Sequence, residues 1–178
     1  MRAFVAVLLR TPELERLLGE LAEVRNAKAV APEGTHVTLK FLGEVQESKA
    51  PEVCEALEKA LAGVKPFRAE LRGVGAFPSE SRPRVVWAGV HPESAFGELH
   101  LRVERAMQGL GFTPERRSFT PHVTLARMRG RSQEVLEFIR RYRGVELGSA
   151  EVRQVHLMRS TLTPAGAKYS RVCAVELL

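Results

Sequence analysis

The chain has 178 residues, 27 Lys and Arg against 21 acidic side chains, and a formal charge of +6 at pH 7, a length that suits one compact domain of one or two lobes. With 44% apolar and 27% charged residues, it has the composition of a soluble protein with a packed core rather than a disordered chain. Every acidic residue is Glu and none is Asp, which excludes aspartic protease dyads, kinase catalytic loops and EF-hand calcium loops.

In chain order, apolar runs of strand length alternate with segments of helical period. Strands are expected near 2–9, 36–42, 67–76, 84–90, 121–128, 145–158 with a break at Gly148, and 168–177. Helices are expected near 12–25, 48–62, 93–109 and 132–142, with Ser48 and Ser132 as N-caps and Gly63 and Gly144 just past helix ends. The opening stretch is broken by Arg2, Arg10 and Pro12 and lacks a small-residue cleavage site, so it reads as a first strand, with the cytoplasm as the default location. Cys54 and Cys173 match no zinc or redox spacing and read as buried or inert thiols in a reducing compartment. The excess of Arg and the scarcity of Asn and Gln lean toward a thermophilic source.

The tetrapeptide His-Val-Thr-Leu occurs twice, at 36–39 and 122–125. Chance predicts His-x-Thr only about 0.2 times in such a chain. The contexts also match, since each motif follows a strand and a helix and precedes another helix and strand. The expectation is an α+β, bilobal fold of two pseudo-symmetric lobes, each an antiparallel sheet with flanking helices, around a central cleft. It forms a single bilobal domain over 1–178, with half-units near 1–80 and 81–178 between which the chain can cross.

Residues two apart on a strand share a face, so His36 and Thr38 point opposite to Val37, Leu39 and Phe41, and His122 and Thr124 opposite to Val123 and Leu125. Two imidazoles and two hydroxyls in one cleft suit a phosphodiester: one histidine takes a proton from the attacking oxygen, the other protonates the leaving oxygen, and the threonines hold non-bridging oxygens. Two histidines without a third ligand make a poor metal site, and no cofactor or metal is expected. The bland alternative is that both pairs are half-buried strand residues satisfied by backbone partners.

THVTLKFLGEV at 35–45 and FTPHVTLARMR at 119–129 resemble the signature motifs of the two-histidine phosphoesterases, and within them the RNA 2′,3′-cyclic phosphodiesterases historically called 2′-5′ RNA ligases. RAFVAV, GAFPSESRPRVVWAGV at 75–90 and VHLMRSTLTPAGAKYSRV at 155–172 fit the same pattern. Val30 departs from it where an aromatic residue is expected. The resemblance implies metal-independent hydrolysis of RNA 2′,3′-cyclic phosphate ends to 2′-phosphomonoesters, with reversible ATP-independent 2′-5′ joining. It implies His36 as proton donor, His122 as proton acceptor, Thr38 and Thr124 on the phosphate, Arg127 toward the phosphate and Phe41 toward the nucleoside. Strict alternation puts Phe41 and Arg127 in the core phase, so a bulge or strand end must release them.

The expected partners are RNA ends or oligonucleotides with a cyclic phosphate, with no membrane partner and a monomeric chain. A noncatalytic RNA-end binder and a phosphodiesterase of a small cyclic nucleotide remain open. His91 reads as a helix-entry residue, His100 as solvated and His156 as structural. The Arg82–Arg84 and Arg116–Arg117 loops read as solvated charge, with tracking of an RNA backbone as the alternative.

Overall fold

The computed structural model describes residues 1–178. Its strands are β1 (Arg2–Leu8), β2 (Ala27–Ala29), β3 (His36–Glu44), β4 (Phe67–Pro78), β5 (Pro83–His91), β6 (His122–Met128), β7 (Glu146–Val152), β8 (Gln154–Thr163) and β9 (Gly166–Glu176). The helices are α1 (Pro12–Leu21), α2 (Ala50–Leu61), α3 (Glu93–Gly109) and α4 (Gln133–Arg141). The α+β class expected from the alternation of periods is the one observed. All strands join one antiparallel sheet of order β7-β4-β5-β6-β3-β1-β8-β9, with β2 paired to β6. Each wing draws on both halves of the chain. Strand β4 lies between β5 and β7, while β8 and β9 return to flank β1.

The wings meet at β3 and β6, which share a single ladder pair, Val37 with Val123. The sheet is also strongly curled. Tyr169 of β9 lies three strands from β3, about 14 Å in a flat sheet, yet its ring centroid is 5.2 Å from that of His36. One face packs on the four helices through a continuous core of 37 buried residues. The helices present apolar stripes at 3.6-residue spacing: Leu14, Leu17, Leu18 and Leu21 on α1, and Phe96, Leu99, Val103 and Met107 on α3. Full burial of each such side chain contributes about 1.5–3 kcal/mol. The other face carries the His/Thr pairs beside a small buried cluster of Phe4, Ala6 and Met158.

Local chemistry sets the boundaries. Thr11 caps α1 by accepting from the Leu14 N–H and donates to the Leu147 carbonyl 2.7 Å away, tying the helix to β7. Ser132 caps α4 as expected, and Gly63 and Gly144 adopt φ of +83° and +73° just beyond helix ends. Ser48 does not cap α2: it lies in a 3-10 turn, and the helix starts after Lys49. Helix α1 ends at Leu21 rather than near residue 25, and the chain then forms the short strand β2, whose three residues are too few to show a period. The long run 145–158 breaks at Arg153 instead of Gly148. Gly148 sits inside β7 at φ +90°, where the pairing with β4 shifts register, a bulge that only glycine adopts easily.

The cysteine expectation is overturned. Cys54 of α2 and Cys173 of β9 form a disulfide, with Cα atoms 6.5 Å apart and 119 residues between them in sequence. Packing of α2 on β9 brings them together, and sequence spacing carries no trace of that contact. Closing a loop of this length restricts the unfolded chain by about 3–5 kcal/mol in the entropic account. Reduction, or Cys54→Ala, is expected to lower the thermal midpoint by roughly 10 °C. A midpoint unchanged by reductant would show that the crosslink carries no stability.

Candidate active site

Val37 and Val123 are fully buried in the core, so pleating turns their neighbours to the opposite, concave face. Extending the antiparallel register through this pair sets Thr124 across from His36 and His122 across from Thr38, with the two imidazoles on a diagonal. All four side chains are half-buried. The structure thus brings together the four residues expected to share a cleft.

Both histidines are held alike. His36 Nδ1 lies 2.6 Å from the Gly34 carbonyl and His122 Nδ1 2.7 Å from the Thr120 carbonyl, each two residues upstream. A carbonyl only accepts, so each Nδ1 carries hydrogen and donates, which leaves Nε2 as the exchangeable position. A neutral copy then offers a bare Nε2 lone pair, and a protonated copy offers an Nε2–H. Burial pushes both imidazoles below their usual pKa, an effect opposed by the backbone hydrogen bonds. For His36 the neighbouring His122 adds a smaller downward push.

The strands then break alternation in the same way. Leu39 and Lys40 of β3 are both buried, as are Leu125 and Ala126 of β6. The ladder to β1 skips Leu39, pairing Val5 with Lys40 and Ala6 with Thr38. The ladder from β5 skips Leu125, pairing Val86 with Ala126 and Trp87 with Thr124. Each bulge shifts the phase by one residue, so Phe41 and Arg127 emerge from the core phase; both are exposed, Phe41 to 68%. Lys40 is buried because its ammonium meets Glu104 at 2.6 Å and the Thr113 carbonyl at 3.0 Å.

Aromatic edges flank the imidazoles. Tyr169 meets His36 at 84° and 5.2 Å between centroids, and Phe77 meets His122 at 81° and 5.1 Å. Phe4 packs beside His36 and Tyr169, and Trp87 beside Phe77. A Cβ on Gly75 would stand 2.3 Å from the Trp87 ring, so glycine is what admits the indole.

A family model described as the 2′-5′ RNA ligase superfamily matches residues 11–163. An RNA 2′,3′-cyclic phosphodiesterase of Aeropyrum pernix is 41% identical over 173 residues, covering 90% of this chain and 96% of the relative. Another, of Archaeoglobus fulgidus, is 40% identical over 179 residues, covering 99% and 100%. The chain belongs to the 2′-5′ RNA ligase superfamily. A crystal structure of a Thermus thermophilus protein superposes with a TM-score of 0.83 at 31% identity, covering 99% of this chain and 98% of that one.

In this superfamily member, sequence reasoning missed the roles of Tyr169, Phe77, Phe4 and Trp87 around the histidines. All four lie in segments that carry the resemblance; their convergence depends on the curl. His100 is not solvated. It is half-buried, donates from Nδ1 to the Leu39 carbonyl at 2.8 Å, and stacks on Phe119 at 4.2 Å and 3°. It therefore ties the bulge of the first motif to the approach to the second. His156 is buried as expected of a structural residue, but neither ring nitrogen has a hydrogen-bond partner. His91 ends β5, half-buried, directly before α3. In an NMR titration of the free protein, His36 and His122 are expected to protonate below about pH 6.5, the ordinary imidazole value. Titration of either ring above that value would contradict the burial argument.

Proposed function

We propose that this protein is an enzyme that hydrolyses RNA 2′,3′-cyclic phosphate ends to 2′-phosphomonoesters. The observation that carries the reading is the matched pair of imidazoles, each with Nδ1–H tied to a backbone carbonyl and Nε2 free on the concave face. The names of the curated relatives support the substrate class.

In this mechanism His122 Nε2 takes a proton from water as its oxygen bonds to phosphorus. His36 Nε2–H gives a proton to the departing 3′ oxygen, leaving a 2′-phosphate and a free 3′-hydroxyl. The hydroxyls of Thr38 and Thr124 donate to non-bridging oxygens, and Arg127 adds a positive charge beside them. Phe41, exposed at the opposite end and 6.2 Å from Phe4, offers an apolar face to the nucleoside. The imidazoles supply both proton transfers, so no metal ion is required. With a 5′-hydroxyl in place of water, His122 and His36 play the same two roles and the product is a 2′-5′ linkage formed without ATP; cleavage of that linkage interchanges the roles. All these residues come from one chain, so the monomer suffices.

One imidazole must be protonated and its partner neutral, and both pKa values are lowered in the free protein. Loss of the acid's proton as pH rises then removes activity, so kcat/KM is expected to peak on the acidic side of about 6.5. The direct test is an RNA with a cyclic phosphate end, incubated in EDTA with the wild type and with His36→Ala and His122→Ala. Each variant is expected to lose about 10²–10⁴ in rate, and the wild-type product to be the 2′-phosphate. A folded wild type without turnover, or a variant with full turnover, would overturn the reading.

A further inference from the structure

The cleft is close to two-fold in frame, but its two ends differ in charge. Five residues after its histidine, β3 carries Phe41 where β6 carries Arg127; seven residues after the histidine, Gly43 stands in the first half where Arg129 stands in the second. Lys28 of β2 stands directly across from Arg127. Arg25 and Arg131 join the same end, because the Arg129 N–H donates to the Asn26 carbonyl and the Asn26 side chain donates to the Arg131 carbonyl. Arg82 precedes β5 on the other side of β6. All six cationic side chains are exposed, and none of them has a carboxylate partner.

Elsewhere paired and unpaired arginines are interspersed. Arg72, Arg102, Arg141, Arg143 and Arg159 each meet a glutamate. Six cations without an ion-pair partner at one sheet corner repel one another, a cost that the Glu134 carboxylate, which accepts from the Arg25 backbone N–H, offsets in part and an anionic ligand lowers further. The charges also run in a line. From Thr124 to Arg129 the chain covers roughly 16 Å, leading outward from the hydroxyl assigned to the reacting phosphate. Five of the six are arginines, whose planar forks match phosphate oxygens two at a time.

We infer that the β6 end of the cleft is a lane for the polyphosphate body of an RNA, leading away from the end held between His36 and His122. The inference rests on the phosphodiesterase reading and adds a direction: the terminal nucleoside turns its base toward Phe41 at the β3 end, and the strand runs from its 5′ oxygen past Arg127, Lys28 and Arg129. Phosphates in series fit this row better than the irregular carboxylates of an acidic protein segment.

The test uses the whole protein and two ligands. Binding of a fluorescent RNA with a 2′-phosphate end is followed by anisotropy across potassium chloride concentrations, and turnover of a mononucleoside 2′,3′-cyclic phosphate is measured beside it. Lys28→Ala combined with Arg129→Ala is expected to weaken RNA binding about tenfold at low salt and to reduce the log–log salt slope by roughly 0.7 for each phosphate left unneutralised. Mononucleotide turnover is expected to stay at the wild-type rate. Arg105→Ala combined with Arg140→Ala, on the helical face, is expected to leave the slope unchanged. An equal slope in wild type and lane variant, an equal effect of the control pair, or an acidic peptide that competes as well as RNA would overturn the lane. Absence of mononucleotide turnover by wild type would instead count against the phosphodiesterase reading, which the binding slopes do not address.

Discussion

The active cleft depends on one backbone pairing, Val37 with Val123, where two wings of a curled sheet meet. Both valines are sealed in the core, and the pleat then fixes the opposite orientation for His36, Thr38, His122 and Thr124. A slip of one residue in either strand would bury an imidazole and expose a valine. The register is therefore held by hydrophobic burial on one face while the other face stays available for chemistry. Helix α3 braces the joint: Glu104 pairs with Lys40, and His100 bonds Leu39 while stacking on Phe119. These contacts link the first motif to the segment that leads into the second.

The paired bulges reconcile two demands on the same strands. Up to Leu39 and Leu125 strict alternation serves the core, and beyond them one extra inward residue returns Phe41 and Arg127 to the exterior. The inward position is filled by Ala126 in one wing and by a lysine neutralised by Glu104 in the other, two solutions to the burial of one additional side chain. Burial also tunes the imidazoles. It lowers both pKa values, while the Nδ1 hydrogen bonds oppose the shift and orient the rings. A bound phosphate would favour the protonated form of the acid partner.

The repeated His-Val-Thr-Leu makes the site legible in the sequence, because two copies in matching contexts imply convergence about an approximate two-fold. Helix ends at Ser132, Gly63 and Gly144 are equally legible, since each rests on local chemistry. What escapes a reading of the sequence depends on contacts between distant elements. The Cys54–Cys173 bond follows from α2 lying on β9, Tyr169 reaches His36 only because the sheet curls, and His100 is drawn in by a carbonyl freed at a bulge. Strand β2 is too short to show a period, and Gly148 marks a bulge inside a strand rather than its end. Exposure of Phe41 and Arg127 requires a break in alternation, but its position after Leu39 and Leu125 is visible only in the ladders.

The most direct test of the account is a crystal structure of the protein with a 2′-phosphate nucleotide, the product of the proposed reaction. The account predicts the phosphate between the two imidazoles, with Nε2 of both His36 and His122 within about 3 Å of its oxygens and the hydroxyls of Thr38 and Thr124 on the remaining ones. A phosphate bound elsewhere on the concave face, or held by only one histidine, would contradict it.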